Sequence, residues 1–105
     1  MSNYILSPAA KIALIEIKEY TTKQWGAKQA NAYLVQLRDR MRFLVKNPTL
    51  GKSRDEIKPG YFSFPEGKHV IFYRILKTNI EIIGIPHQNM DIETRLQKEP
   101  NNNTD

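Results

Sequence analysis

Residues 60–87 constrain the fold of this chain more than any other part of its 105 residues. Three apolar runs follow one another here, each rich in β-branched and aromatic residues and each bounded by turn-forming residues. We predict three antiparallel strands, at Tyr61–Phe64, His69–Leu76 and Ile80–Ile85. The turns between them are Pro65-Glu66-Gly67 and Thr78-Asn79. Because a bare meander of three strands is only marginally stable in water, helices from elsewhere in the chain must cover one of its faces.

Two amphipathic segments precede the meander and predict a pair of antiparallel helices. The first is expected over Pro8–Lys23, because Ser7 is a good N-cap and proline suits the first helical position. The second is expected over Ala27–Lys46, and an edge strand at Tyr4-Ile5-Leu6 comes before both. Trp25 stands between the helices and is interpreted as a core residue at their junction, since tryptophan is highly buried on average.

The first helix has more apolar surface than a single face can bury. One stripe at helical spacing consists of Ala10, Leu14, Ile17 and Thr21. Ile12 and Ile15 lie off this stripe, so they could face the sheet edge or a partner protein. Both residues are therefore candidates for a protein contact.

These elements predict an α+β fold: an N-terminal strand, a two-helix antiparallel hairpin and a three-stranded antiparallel meander form one sheet with helices on one face. The opposite face is then open and must meet another molecule. Strand alternation places Arg74 on this open face, where it can contact a target, be solvated or form a salt bridge. We expect residues 1–97 to form one domain, in which Asp91 caps a short helix over Ile92–Gln97, and residues 98–105 to form a disordered tail.

Composition excludes several classes of protein. The sequence has no cysteine, so it offers no disulfide or thiolate metal site, and no nucleotide or zinc motif is present; no cofactor is expected. It also lacks a run of about 18 apolar residues and a secretory signal, so the expected location is the cytoplasm, without membrane contact. A net charge of +5 favours an acidic partner: nucleic acid, an enzyme bound to nucleic acid, or an acidic protein.

The second helix carries five basic residues that could form a nucleic-acid stripe: Lys28, Arg38, Arg40, Arg42 and Lys46. We interpret them instead as a solvated surface that does not occupy one helical face and is interrupted by Asp39. Direct binding of nucleic acid is therefore not expected.

Several short motifs resemble the ParE branch of the RelE/ParE toxin superfamily over nearly the whole chain, from Leu6 to Asp91. The most specific are Asp55-Glu56-Ile57, Pro59-Gly60-Tyr61, His69–Arg74, and His87 with Met90-Asp91. The resemblance implies a bacterial toxin that a cognate, ParD-like antitoxin neutralises, with a possible higher-order assembly of the two. It also implies inhibition of DNA gyrase by binding, without catalysis.

The same resemblance supplies candidate site residues. Arg74, His87, Asp91 and Arg95 are candidates for target contact, and the surplus residues Ile12 and Ile15 are candidates for antitoxin contact. One position departs from the family pattern, because Gly84 stands where typical members carry an arginine on the last strand. This departure could weaken activity or change the target.

Two alternatives remain open at this point. The ribonuclease branch of the superfamily cleaves messenger RNA on the ribosome with a glutamate, an arginine and a C-terminal histidine, and this chain carries Glu56, Arg74 and His87 at the analogous positions. Those residue types could serve as base, phosphate-binding cation and acid. The other alternative is an inactive toxin that acts only as a partner in a complex. His87 could also be purely structural, as could His69.

Overall fold

A computed structural model describes residues 3–89, which form two helices and a five-stranded sheet. In chain order the elements are β1 (Tyr4–Leu6), α1 (Pro8–Trp25), α2 (Ala27–Lys46), β2 (Lys52–Ser53), β3 (Tyr61–Glu66), β4 (His69–Ile75) and β5 (Ile80–Gly84). A short 3₁₀ turn, Pro48–Leu50, follows α2. The predicted α+β class is confirmed, whereas the short helix over Ile92–Gln97 and the tail lie outside the described residues.

The sheet has the order β1-β5-β4-β3-β2. The three strands of the predicted meander are antiparallel neighbours, and the N-terminal strand joins them in parallel with β5, as Tyr4 pairs with Ile80. The two-residue strand β2, which the sequence did not predict, pairs with Phe62 and Ser63. The predicted first turn is wrong in position, because β3 continues through Pro65 and Glu66. Pro65 lies beyond the part of β3 that pairs with β2, an edge position where a sheet tolerates proline.

Ser7 fixes the start of α1 on the sheet. Its Oγ accepts a hydrogen bond from the backbone N–H of Ala10 at 3.0 Å, which is the N-cap contact that the sequence predicts. The same hydroxyl donates to the carbonyl oxygen of Ile83 at 2.8 Å, and the Ser7 N–H donates to that of Ile82 at 3.0 Å. One residue therefore begins the helix and ties it to β5.

The main core lies between the helices and one face of the sheet. Its fully buried large side chains include Leu37 and Leu44 from α2, with Ile71, Tyr73, Ile80 and Ile82 from β4 and β5. Ala10 and Ile17 from the predicted stripe of α1 are also buried. Each fully buried large aliphatic side chain contributes about 1.5–3 kcal/mol relative to an exposed one, so this interface is the main source of stability.

The interpretation of Trp25 as a core residue is wrong. Trp25 is the last residue of α1, and its side chain is 66% exposed. No residue from Lys18 to Gln29 is buried, so the connecting end of the helix hairpin contributes no side chain to the buried core. Position in the tertiary structure overrides the usual preference of tryptophan for the interior.

The prediction of a bare second sheet face is wrong around the middle of β3 and β4. Phe72 and Ser63 point away from the helices, yet they are 0% and 6% exposed. The guanidinium of Arg54 lies 5.4 Å from the centre of the Phe72 ring, and its Nη1 lies 3.4 Å from the Ser63 hydroxyl. Ile57, in the same connection between β2 and β3, is also buried. The connection between β2 and β3, which contains Arg54 and Ile57, thus supplies cover for this face.

Neither helix, as far as residues 3–89 show, combines the length and apolar character needed to cross a membrane.

Candidate functional site

A groove of about 780 Å³ runs between α1 and the chain that leaves β5. Ile12 and Tyr20 line it from the helix, and Pro86 and His87 line it from the opposite side. Ile12 and Tyr20 are 56% and 64% exposed, so large apolar side chains face solvent at this groove. The hydrogen bonds of Ser7 to β5 join the two walls of this groove. Such a groove can take up apolar side chains of a partner protein.

Ile15 extends the same apolar surface by one helical turn. It is 58% exposed and does not pack into the main core. Ile12, Ile15 and Tyr20 are thus the surplus apolar surface that the sequence assigned to the first helix, with Tyr20 as an addition. The sequence contains the signal for Tyr20, because it lies eight residues, or about two helical turns, after Ile12.

Two histidines meet at one end of the groove. His69, at the start of β4, forms an antiparallel bridge with His87, and their rings lie 5.3 Å apart and nearly perpendicular. The Nδ1 of His69 is 2.6 Å from the hydroxyl of Tyr33 on α2, and that hydroxyl also accepts a hydrogen bond from the Lys68 N–H at 3.1 Å. These contacts connect α2, β4 and the chain after β5.

The pKa of His69 is lowered to about 4, first by burial and then by repulsion from His87. His69 is therefore neutral near pH 7, consistent with a structural role. The Nδ1 of His87 accepts a hydrogen bond from the Asn89 N–H at 3.1 Å, so a neutral His87 carries its proton on Nε2.

Arg74 lies on the sheet face opposite the helices, as strand alternation predicted. Its Nε donates to Glu81 Oε1 on the neighbouring strand at 2.6 Å, and its side chain remains 53% exposed. Arg74 thus forms a cross-strand salt bridge, one of the roles expected from the sequence, and about half of its side chain remains exposed to solvent. A partner could therefore reach Arg74 without disrupting the core.

Glu56 lies in the connection between β2 and β3. Its Oε2 accepts a hydrogen bond from Arg54 Nε at 2.6 Å, and this bond lowers the pKa of the Glu56 carboxyl from its usual value. A carboxylate stabilised in its charged form is a weaker proton acceptor, so this environment does not favour Glu56 as a general base.

The structure does not bring Arg74 and His87 together. His87 pairs with His69, five residues along β4 from Arg74, a separation of about 16 Å at the usual rise of a strand. An odd number of residues also puts His69 and Arg74 on opposite faces of the sheet, and His69 contacts α2. Asp91 and Arg95, the remaining candidates for target contact, lie outside the described residues.

Gly84 is buried and pairs with Phe72 in the sheet. A Cβ added to Gly84 would meet nothing closer than Pro86 Cδ, at 4.0 Å. Its backbone does not have the positive φ that would require glycine. The local backbone therefore does not exclude the side chain that typical members carry at this position.

A second surface lies on the outer side of α2. At 100° per residue, Lys28, Arg38, Arg42 and Lys46 fall within about 80° of one another, and all four are exposed. The interpretation that the basic residues of this helix do not share a face is therefore wrong for these four. Arg40 is the exception, because its Nε donates to Glu66 Oε1 at 2.7 Å and its guanidinium stacks near Phe43 and Phe64.

Within residues 3–89, no group of three or more histidine, aspartate or glutamate side chains is arranged to hold a metal ion.

Comparison with known proteins assigns the family. Residues 4–92 match the family described as "ParE toxin of type II toxin-antitoxin system, parDE". The chain belongs to the ParE toxin family. The resemblance seen in the sequence motifs is thereby confirmed, and the chain is the toxin component of a type II toxin–antitoxin system.

Individual ParE relatives cover almost the same length. Toxin ParE1 of Mycobacterium tuberculosis is 40% identical over 96 residues, which cover 90% of this chain and 98% of that protein. Toxin ParE1 of Caulobacter vibrioides is 33% identical over 96 residues, covering 91% and 99%. A solved chain of the chromosomal ParDE TA system from P. aeruginosa has a TM-score of 0.71 at 18% identity, covering 83% of this chain and 95% of that one, and so shares the fold.

Proposed function

We propose that this ParE protein inhibits DNA gyrase by binding to it, without catalysis or a cofactor, so that cleaved DNA accumulates. The observation that supports this most directly is the match to the ParE family over residues 4–92. His87 pairs with His69, which lies about 16 Å from Arg74 along β4 at the usual rise of a strand and on the opposite face of the sheet. This arrangement favours binding over cleavage of messenger RNA, which needs acid and cation at one phosphate. The proposal places the protein in the cytoplasm, where gyrase acts on DNA.

A supercoiling assay with purified gyrase and the full-length toxin tests this function. We expect loss of supercoiling and accumulation of cleaved DNA at stoichiometric toxin. Gly84→Arg restores the side chain of typical ParE members and should increase potency, whereas Thr22→Arg adds the same charge at an exposed position of α1 and should not. Unchanged supercoiling and no cleaved DNA with both wild type and Gly84→Arg would contradict the proposal.

The same protein added to a translating extract tests the ribonuclease alternative. Cleavage of messenger RNA that is lost in Glu56→Ala, Arg74→Ala and His87→Ala would overturn the gyrase proposal in favour of that alternative. Absence of activity in both assays would indicate a protein that acts only as a partner in a complex.

We further propose that a ParD-like antitoxin neutralises the toxin by binding the apolar surface of α1. Ile12, Ile15 and Tyr20 are all more than half exposed, and Ile12 and Tyr20 line the groove. An antitoxin segment that folds on binding needs apolar anchors of this kind to offset its ordering entropy. The two proteins can then build a larger assembly, whose stoichiometry light scattering would measure.

Calorimetric titration of the toxin with its antitoxin tests this surface. The double variant Ile12→Glu/Ile15→Glu should bind at least about tenfold more weakly, because each buried isoleucine at an interface contributes roughly 1–3 kcal/mol. Val35→Glu/Leu50→Glu makes the same charge change at two exposed apolar positions outside the groove and is the control. Wild-type affinity in the first variant would contradict the assignment.

A further inference from the structure

Helix α2 carries most of the net charge of this protein. Its 20 residues include five basic side chains and one acidic side chain, a net +4, against +5 for the whole chain. Helix α1 has three lysines and two glutamates, a net +1. Two helices of similar length in the same hairpin thus differ strongly in charge.

The positive charge of α2 is arranged along one exposed line, which we call the α2 basic face: Lys28, Arg38, Arg42 and Lys46. Arg38, Arg42 and Lys46 follow one another at four-residue steps of about 6 Å, and the line from Lys28 to Lys46 is about 27 Å long. Arg40 does not belong to it, because it projects from another side of the helix, about 120° or more from these four residues, where Glu66 neutralises its charge.

The α2 basic face is poorly neutralised by the protein itself. Within residues 3–89, Lys28, Arg42 and Lys46 form no ion pair. Arg38 contacts Asp39 at 3.2 Å, but both side chains are about half exposed, and solvent screens such pairs strongly. Repulsion between like charges along a helix is destabilising, so this arrangement is unfavourable unless an anionic partner compensates it.

The chemistry of this face indicates the kind of partner. Interfaces between proteins usually have a core of aromatic or large apolar anchors. The exposed large apolar residues of α2 are Val35 and Phe43, and the Phe43 ring packs against Arg40 and Phe64, whereas the more exposed apolar side chains of the hairpin lie on α1. A row of cations on a rigid helix, with few apolar side chains beside it, fits the regular negative charge of a phosphate backbone, where duplex DNA has one charge per about 1.7 Å.

We propose that the α2 basic face binds the phosphate backbone of duplex DNA without reading its sequence. Arg38, Arg42 and Lys46 neutralise phosphates and release their counterions, and Lys28 extends the contact. The surface on α1 stays available for a protein partner, so the toxin can hold DNA and protein together.

Fluorescence anisotropy with a 30-base-pair duplex of arbitrary sequence tests the proposal on the isolated full-length protein. The test variant is Arg38→Gln/Arg42→Gln/Lys46→Gln. The matched control is Lys11→Gln/Lys18→Gln/Lys23→Gln, which removes the same charge from exposed positions of α1. Glutamine keeps helix propensity similar at all six positions, and circular dichroism verifies that both variants are folded.

We expect the wild-type affinity to fall steeply with salt. Removal of three phosphate contacts should reduce the slope of log K against log salt concentration by up to about 2.7, at 0.9 per contact, and weaken binding at least tenfold at low salt. The control should keep the slope nearly unchanged. Because gyrase is absent, this result does not depend on the gyrase proposal.

Three results would overturn the inference: no DNA binding by the wild type at 50 mM salt, equal losses in the two triple variants, or unchanged DNA binding in the α2 variant. Equal losses of DNA affinity in the two variants would mean that binding depends on the net charge of the protein and not on the α2 basic face. If the α2 variant instead lost affinity for the antitoxin alone, the α2 basic face would be a surface for an acidic protein.

Discussion

Gly67 offers a sharp test of how the β3–β4 turn is held against α2. Its φ is +59°, a conformation that side chains disfavour, and an added Cβ would lie 2.6 Å from Cε1 of the Tyr33 ring and 2.8 Å from the Tyr33 hydroxyl. The ring cannot move aside freely, because its hydroxyl contacts the Lys68 N–H at 3.1 Å and His69 Nδ1 at 2.6 Å. Gly67→Ala therefore has two separate costs.

The two costs can be estimated separately. Placing a non-glycine residue in a left-handed conformation costs roughly 1–2 kcal/mol. Displacing Tyr33 from two hydrogen bonds costs roughly 1 kcal/mol each, so the total for Gly67→Ala is about 3–4 kcal/mol. In a domain of this size, a loss of 1 kcal/mol lowers Tm by about 4–8 °C, so we expect a decrease of at least about 12 °C.

Gly60 provides the matched control. Its φ is +87°, but nothing lies within 4 Å of an added Cβ, so Gly60→Ala should lose only the conformational part, about 1–2 kcal/mol. In a Tyr33→Ala background, the cost of Gly67→Ala should fall to the same value. Urea unfolding followed by circular dichroism measures the wild type and all four variants; Trp25 is too exposed to be a sensitive fluorescence probe. Equal losses for Gly67→Ala and Gly60→Ala in the wild-type background would refute the reasoning.

Two other predictions concern the core and the histidine pair. Tyr73→Phe removes a buried hydroxyl that donates to the Pro48 carbonyl at 2.7 Å and accepts from the Gly51 N–H at 3.0 Å. Urea unfolding should therefore show that the free energy of unfolding falls by about 1–3 kcal/mol, and a change below about 0.5 kcal/mol would contradict this. His69 has a pKa of about 4 in the folded protein and 6.5 as its ordinary value, so between these pH values the unfolded chain binds more protons. Stability should therefore be highest above pH 6.5 and fall as the pH is lowered towards 4. His69→Gln should weaken this pH dependence. If the pH profile of the variant runs parallel to that of the wild type, other groups cause the dependence.

Much of the fold follows from local patterns. Ser7 and Pro8 set the start of α1, the apolar stripe of α2 predicts its buried side, and β-branched runs locate β4 and β5. These features depend on residues within a few positions of one another in the sequence, so capping preferences and hydrophobic periodicity are enough to predict them. The family motifs that support the toxin assignment are likewise short and contiguous.

The sequence predicted less of the candidate site than of the fold. The surplus residues Ile12 and Ile15 lie on an exposed surface as expected, but the pattern could not show that His87 meets His69 rather than Arg74. That pairing depends on the register between β4 and the chain after β5, which includes an irregularity at Phe72 and Tyr73. Register is a property of two distant segments and has no signature in either one alone.

The sequence by itself determined the order of both helices and of every strand except β2, the apolar stripes that form the core, and the family. Only the tertiary structure decided which side chains were left without cover, since this depends on what packs nearby. Thus Trp25 is exposed at the connecting end of the helix hairpin, and Arg54 reaches across to shield Phe72. The tertiary structure also decided that Arg40 pairs with Glu66, whereas Lys28, Arg38, Arg42 and Lys46 remain on the exposed side of α2. Secondary structure arises from contacts between near neighbours in sequence, whereas burial and charge pairing arise from contacts between distant ones.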